Sequence, residues 1–465
     1  MLTIDHPAAR LSDRIVLDGD PGWDDARRAF DLLVDQRPAA VVAARDERDV
    51  IAAVRYARAQ GLRVAPQGTG HGAASLGDLS DAVIVNASAL DAVRIDAERL
   101  TVRVGAGAIW RQVAAPLSDL GLACLHGSSP DVGIAGYSLG GGIGWLARRH
   151  GMQANRVTAI ELVTADGDLI RADAASEPDL FWALRGGGGN FGVVTAIEFG
   201  VVPLPEVYAG ALMFPFPQAP EVLHAWNDLL PSLPDELMSW ATIFHLPDTP
   251  DMPPEMRGAS LTVVMAAHLG PEEEGRALLE PLRRLGPVED TFATAPPSVL
   301  AGLAMEDPVE PFPFLTAHGL LGDLPPAGID ALLDAAGPGS PAGTALTMLQ
   351  LRHMGGALGR SAPGAGARAT LPGAVSLLGL GVVEDEAGEA AVRDALGAVG
   401  VAAAVHRVGD YPNFVEHPAD ASAFWDAATW RRLRAVKRAY DPDDLFRGNH
   451  HIPPAAPAGA ASRAA

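Results

Sequence analysis

Cysteine is almost missing from this chain: Cys124 is the only one in 465 residues. An intramolecular disulfide is therefore excluded, and so is a Cys-rich metal site. Positive charge is also scarce. Lys and Arg number 35 against 57 Asp and Glu, a net charge of −22. Such a surface repels nucleic acid and anionic membranes, so neither is expected as a partner. The acidic residues are spread along the chain, which describes a solvated surface and not an acidic tail. No uncharged run of about 18 strongly apolar residues occurs, so no transmembrane helix is expected. Met1-Leu2-Thr3-Ile4-Asp5-His6-Pro7 has no basic region followed by an apolar run. No secretory leader is expected, and the location is expected to be cytoplasmic. The Ala/Gly/Pro-rich stretch 456–465 is expected to be disordered. The remaining composition, 48% hydrophobic and 20% charged, fits a globular protein of two or three domains.

Periodicity gives the outline. Asp24 to Gln36 reads as an amphipathic helix with Ala26, Phe30, Leu33 and Val34 on its apolar side. Ala39 to Ala43 is a short strand. Asp46 is an N-cap with Asp49 at the capping-box position, and the helix it starts runs to Gln60 and stops at Gly61. Further strands are expected at 63–66, 82–86, 93–95, 100–104 and 193–199, a helix at 109–120, and a hairpin joining 157–164 to 169–172. This mixture indicates an α+β domain over 1–205. A second domain, one sheet covered by helices, is expected over 206–405, with long loops where Pro and Gly are dense between Pro287 and Pro341. A C-terminal segment, 406–455, carries a helix from Ala421 to Ala439.

Three glycine clusters in the first domain carry the chemistry. The first is Pro66-Gln67-Gly68-Thr69-Gly70-His71-Gly72-Ala73, directly after a strand. Glycine tolerates φ > 0 and brings backbone N–H groups close to a ligand's phosphate oxygens. The second runs from Ser129 to Trp145 and holds six glycines between Gly133 and Gly144. That density disfavours both helix and strand. Interleaved apolar residues argue against a linker, no Gly-Lys-Ser/Thr follows as in a Walker loop, and no clean βαβ unit frames a Rossmann motif. The third is Arg185-Gly186-Gly187-Gly188-Gly189-Asn190, where a helix ends and a strand begins. Three such clusters in one domain point to one ligand of dinucleotide size.

In order and spacing, these clusters resemble the FAD-binding domain of the p-cresol methylhydroxylase / vanillyl-alcohol oxidase superfamily. Tyr411-Pro412-Asn413-Phe414 and the stretch from Tyr440 to Asn449 resemble its berberine-bridge-enzyme-like branch. The resemblance covers about half the chain. In the middle it rests on layout and on Gly355-Gly356-Ala357.

The resemblance implies an FAD held by Gln67, Gly68, Thr69, Gly70 and His71 around the pyrophosphate, with the His71 ring bonded to the flavin 8α carbon. Ser129 stands where many relatives carry a second, cysteinyl tether, so one covalent link is implied. Asp131, Val132, Gly133, Gly136, Gly141 and Gly142 would pack along the cofactor, Val132 at the position that governs oxygen access. Tyr137 would support the ribityl chain, Asn190 and Val194 would lie near the adenine, and Asn449 beside the isoalloxazine. Tyr411 is the implied base, with Asn413 and Tyr137 in the catalytic group. Gln350 and Arg352 share one face of their strand, Leu351 and His353 the other, and either face could line the substrate pocket. His450 and His451 point apart and have no third ligand, so no metal is expected.

Ala73, Ile143 and the strand 375–380 lack aromatic or acidic side chains found in some relatives, which suggests a comparatively apolar pocket. The implied activity is an oxidase taking a hydride from a C–H next to O or N, with a small secondary-metabolite-like substrate and O2 as acceptor. A sugar or alcohol oxidase, a redox-neutral flavin cyclase or isomerase, and a flavoprotein without chemistry are the alternatives.

Overall fold

The computed structural model describes residues 10–457, except 251, 255, 306–309, 341 and 342. The leader expectation, and the tail expectation from residue 458 on, lie outside that range.

The first part of the chain builds two sheets over one core. Strands Ala40–Ala43, Ala82–Asn86 and Arg63–Gln67 run parallel, with Ile15–Val16 antiparallel on the edge. A second, antiparallel sheet has the order Val93–Asp96, Thr101–Gly105, Val193–Gly200, Val157–Val163, Leu169–Asp173. Helix Glu47–Gln60 buries Val50, Val54 and Ala57 in the core that both sheets share. Its start is capped as the sequence implies: the Asp46 carboxylate accepts from the Asp49 amide, and Gly61 closes the end at φ 67°. The Asp49 carboxylate turns instead to the Arg45 amide and to Arg10 and Arg14.

The next part is a nine-stranded antiparallel sheet. Helices Ala219–Leu229, Glu272–Arg283, Pro326–Ala336 and Glu386–Ala403 pack on one face. The strand period of two sends Ala241, Ile243, Leu349 and Leu351 to the helices, and Trp240 to the opposite face, against Trp145 and Tyr411. Among the described residues, no helix is long and apolar enough to cross a membrane.

Three expectations fail. The helix over Asp24–Gln36 is only Trp23–Ala26. The Asp31 carboxylate accepts from the Leu33 and Phe314 amides, a local bond that competes with helix, and Asp31 bridges to Phe312. The Pro/Gly-dense stretch holds strand Phe314–Leu321 and helix Pro326–Ala336, whose prolines lie at the start, where a missing N–H costs nothing. The second glycine cluster contains a helix after all, Ile134–Gly140. Only two of the six glycines lie inside it, so their cost is small against the burial of Ile134, Ala135 and Leu139.

Candidate functional site

One solvent-open cleft of about 1730 Å³ lies between the glycine clusters and the sheet. Strand Arg63–Gln67 delivers the first cluster to its rim. The chain's C-terminal stretch then pairs with this strand: Val64 donates to Leu445, and Arg447 donates to Val64. Gln67, Gly68, Thr69, Gly70 and His71 all line the cleft. Gly70 has φ 83°, a conformation that favours glycine. Val132, Gly133, Gly136 and Tyr137 come from the second cluster, and Asn190 and Val194 from the third.

The backbone leaves room there for something other than protein. A Cβ added at Gly136 would meet nothing within 4 Å. Added at Gly68, Gly188 or Gly189 it would meet nothing closer than 3.6 Å. A long cradle that side chains would fill, rimmed by backbone N–H groups, suits a large phosphate-bearing ligand such as FAD.

The His71 ring stacks on Phe30, centroids 3.7 Å apart, and its Nδ1 lies 2.8 Å from Thr69 Oγ1. Burial lowers its pKa to about 4. The imidazole is therefore neutral at pH 7 and keeps a nitrogen lone pair. Phe30 was missed as a site residue because its apolar helical spacing marked it as core.

Across the cleft, the Tyr411 oxygen accepts from the Gly142 amide at 2.7 Å and from Asn413 Nδ2 at 2.8 Å. Asn413 also donates to the Tyr137 carbonyl. With two donors on its oxygen, the Tyr411 proton is directed to a remaining side. Burial pushes this hydroxyl well above the ordinary tyrosine range, against the opposing pull of Gly142, Arg368, Arg352 and Asn413. Tyr411 is therefore protonated in the ligand-free chain. The oxyanion is nonetheless provided with two N–H donors if the proton leaves.

Other expected residues divide between the cleft wall and the layer behind it. The Tyr137 hydroxyl donates to the Leu125 carbonyl, so this ring forms wall and does not offer a proton-transfer group. Gly141 and Gly142 sit behind the lining at φ 140° and 86°, where Gly142 anchors Tyr411. Ser129 and Asp131 also sit behind it: the Ser129 hydroxyl accepts from the Asp131 amide, and the buried Asp131 carboxylate pairs with Arg111. Asn190 is wholly engaged by protein, donating to Gly187 and His450 and accepting from Ile452. Asn449 lines the cleft and donates to the Gly72 carbonyl.

On the sheet, Arg352 reaches the cleft. Gln350 stands behind it, bonded to Thr242 and Arg352. His353 points to the other face and meets Arg148 Nη1 at 2.8 Å, so it is not a pocket residue. The cleft lining is mostly apolar, as the sequence implies, and of the buried polar side chains on this sheet only Arg352 reaches it. Thr242, Gln350, Arg352, Ser376 and His318 form a buried polar row on the cleft side of the sheet. Alternation in Val375–Val382 hid Ser376 among leucines. Glu416, also unforeseen, lines the cleft five residues after Tyr411 and accepts from Thr316 Oγ1 at 2.7 Å. Cys124 is buried, and burial pushes its thiol up to about 12. Among the described residues, no three His, Cys, Asp or Glu are grouped to hold a metal.

A profile of the FAD binding domain matches residues 38–173, and one of berberine and berberine-like proteins matches 411–453. The two matches cover the glycine-rich wall and the Tyr411 wall of the same cleft. The chain carries an FAD binding domain followed by a berberine-like C-terminal segment.

The chain is 31% identical to (R)-6-hydroxynicotine oxidase of Paenarthrobacter nicotinovorans over 285 residues, 61% of each chain. It is 34% identical to glucooligosaccharide oxidase of Sarocladium strictum over 189 residues, 40% of this chain and 38% of that one. The matches span about three fifths or less of these curated relatives' length. Berberine bridge enzyme from Eschscholzia californica superposes with TM-score 0.81 over 97% of this chain and 99% of that one, at 19% identity, a likeness of fold.

Asn413 gives a direct test of the Tyr411 wall. A Cβ on Gly140 would lie 1.7 Å from Asn413 Oδ1. Gly140→Ala should displace Asn413 and loosen Tyr411. An ångström-scale misplacement of a reacting group costs on the order of 10²-fold in rate. Turnover should fall that far while the thermal midpoint moves little. Full turnover in a folded Gly140→Ala protein would detach Asn413 from function.

Proposed function

We propose that this chain is an FAD-dependent oxidase. It takes a hydride from a C–H bond next to oxygen or nitrogen in a small organic substrate of secondary-metabolite type, and O2 receives the electrons. The observation that carries this reading is the convergence of His71, the glycine cradle and the Tyr411–Asn413 pair on one cleft. Bound FAD supplies the two-electron acceptor.

The chain's own residues do the rest. Gln67 to His71 and Gly133 to Gly136 hold the cofactor, Asn190 and Val194 border its adenine side, and Asn449 its ring side. The neutral His71 nitrogen is suited to a covalent bond at the 8α position. With Ser129 at the other position and Cys124 buried as a thiol, His71 is the single tether. Val132 on the cleft wall leaves O2 a path. To act as a base Tyr411 first gives up its own proton to solvent at the open cleft, leaving an oxyanion that Gly142 and Asn413 hold. That oxyanion accepts a hydrogen bond from the substrate's O–H or N–H and takes its proton as the hydride leaves, which restores the neutral phenol.

Anaerobic mixing with a panel of aromatic alcohols, cyclic amines and sugars tests the reading. A matching substrate should bleach the flavin absorbance, and the same mixture in air should form hydrogen peroxide. A flavin that stays oxidised while product forms would instead favour the redox-neutral cyclase or isomerase. For the tether, acid-denatured protein should keep its yellow colour in the pellet, and His71→Ala should release it to the supernatant. Colour retained by His71→Ala would remove the assignment.

A further inference from the structure

Two groups fix the His71 ring, one on its face and one on its edge. Phe30 covers the face, with ring centroids 3.7 Å apart and planes inclined by 15°. Thr69 Oγ1 stands 2.8 Å from Nδ1 on the edge. Each support is itself held. Phe312 and Phe314 meet Phe30 edge-on, with centroids at 5.9 and 6.4 Å. The next residue, Asp31, accepts from the Phe314 amide, which fastens this segment to strand Phe314–Leu321. Thr69 is backed by Gly133, where an added Cβ would lie 3.4 Å from both Oγ1 and Cγ2. Gly70 lets the two supports meet: a Cβ there would lie 3.1 Å from the Ala29 Cα and from the Phe30 nitrogen.

This clamp distinguishes the two ring nitrogens. A ring nitrogen that attacks carbon uses the lone pair pointing outward in the ring plane. At Nδ1 that direction is filled by the Thr69 oxygen, at hydrogen-bond distance. Among the described residues nothing is hydrogen-bonded to Nε2, and the ring lines the cleft. The Thr69 hydroxyl can accept from Nδ1–H, which puts the lone pair on Nε2. Burial keeps the ring neutral, so at pH 7 that lone pair is not lost to a proton.

We infer that His71 bonds the flavin 8α carbon through Nε2, and that Thr69 and Phe30 are positioning residues for forming this bond. The inference rests on the flavin reading above and assigns the atom and its supports. One methyl C–H and the Nδ1–H break, and the bond from the 8α carbon to Nε2 forms. Two electrons pass through the flavin to O2, which with the two protons becomes hydrogen peroxide. As the ring proton leaves, the Thr69 hydroxyl turns from acceptor to donor and holds the bared Nδ1.

Proton NMR of the flavin peptide cut from the purified protein identifies the bonded nitrogen. Nε2 should be found, and Nδ1 overturns the atom assignment. For the supports, riboflavin-starved cells supply flavin-free chain, FAD is added in air, and the growth of acid-stable yellow colour is followed. Thr69→Val keeps the shape and removes the hydroxyl. It should form the bond at least about tenfold more slowly, short of the order of 10²-fold that an ångström of misplacement costs, and should yield some Nδ1 product. Thr69→Ser should restore the rate and the single product. Phe30→Ala should slow the bond as well, whereas Phe30→Tyr, which keeps the stack, should stay close to wild type. FAD that binds Thr69→Val and Phe30→Ala and joins them at the wild-type rate overturns the positioning roles. A wild-type chain that binds FAD and releases all of it in acid overturns the bond itself. A chain that takes up no FAD overturns the flavin reading beneath it.

Discussion

Lys437→Met should lower the unfolding free energy by about 3 kcal/mol and strip the protein of retained flavin. Lys437 is the only lysine in the chain, and both it and Asp441 are 0% exposed. Its ammonium donates to the Asp441 carboxylate at 2.6 Å, the Asn190 carbonyl at 2.7 Å and the Phe446 carbonyl at 2.8 Å. Three segments meet on one charge: the final helix, the third glycine cluster and the C-terminal stretch that bridges to Val64. Removing one member of a buried pair costs about 3–5 kcal/mol, because the other charge is left unpaired. The low end applies here, since Asp441 keeps N–H donors from Leu445 and Phe446. Flavin loss follows from position: Asn190 and the stretch reaching Asn449 line the cleft. Urea unfolding and the ratio of visible to protein absorbance measure the two effects. Lys437→Met with Asp441→Asn should recover part of the stability, because the stranded charge is gone. A single variant with unchanged midpoint and full flavin content would show that Lys437 is a spectator. The lone lysine offers a second readout. Amine acylation of the native protein should stop at the N-terminus, and unfolding should admit one more group.

The sequence displayed the cleft's glycine wall openly because glycine density is a local signal. Gln67 to His71 follows a strand, and the four glycines after Arg185 interrupt a helix, so both clusters could be located by reading along the chain. Tyr411 and Asn413 were legible as a motif. The hydrogen bonds that define them were not, since Gly142 is 269 residues from Tyr411. Phe30 failed for a related reason. Its spacing matched a helical face, but the Asp31 carboxylate held the chain open and left Phe30 free to stack on His71. Arg352 was readable to one of two faces by alternation. Only pairing with Trp240 decided which face met the cleft. Lys437 carried no local signal. A single lysine in an amphipathic helix looks like solvent-facing charge until the segments it joins are in place.

The ligand-free protein should also lose stability steeply as the pH falls below about 6. Burial lowers His71, His126, His150, His245, His268, His318, His353 and His450. Burial lowers His71 to about 4, and burial with Arg156 and Arg149 nearby lowers His150 to about 4. Burial with Arg407 and Arg352 lowers His318 to about 3, and burial with Arg148 lowers His353 to about 3. In the unfolded chain each ring takes a proton near its ordinary value of 6.5. Between that value and about 4 the unfolded state therefore binds more protons, and stability rises with pH across the window. Each excess proton contributes a slope of about 1.4 kcal/mol per pH unit, so the four rings with the lowest stated values alone contribute up to about 5 kcal/mol per unit, and the others act in the same direction. Relaxation and water entry near the rings reduce this, and half that slope is a reasonable expectation. Glu416 works the other way. Raised to about 7, it contributes stability that is fully present below the ordinary glutamate value and lost as pH rises through 7. One carboxyl cannot offset four imidazoles, so the apo protein should be most stable close to neutrality. Urea midpoints between pH 4.5 and 7 measure the slope. His353→Asn removes one ring that does not line the cleft and should make the slope measurably shallower. A midpoint that stays flat over that range would mean that the rings are hydrated and titrate as they do in the unfolded chain.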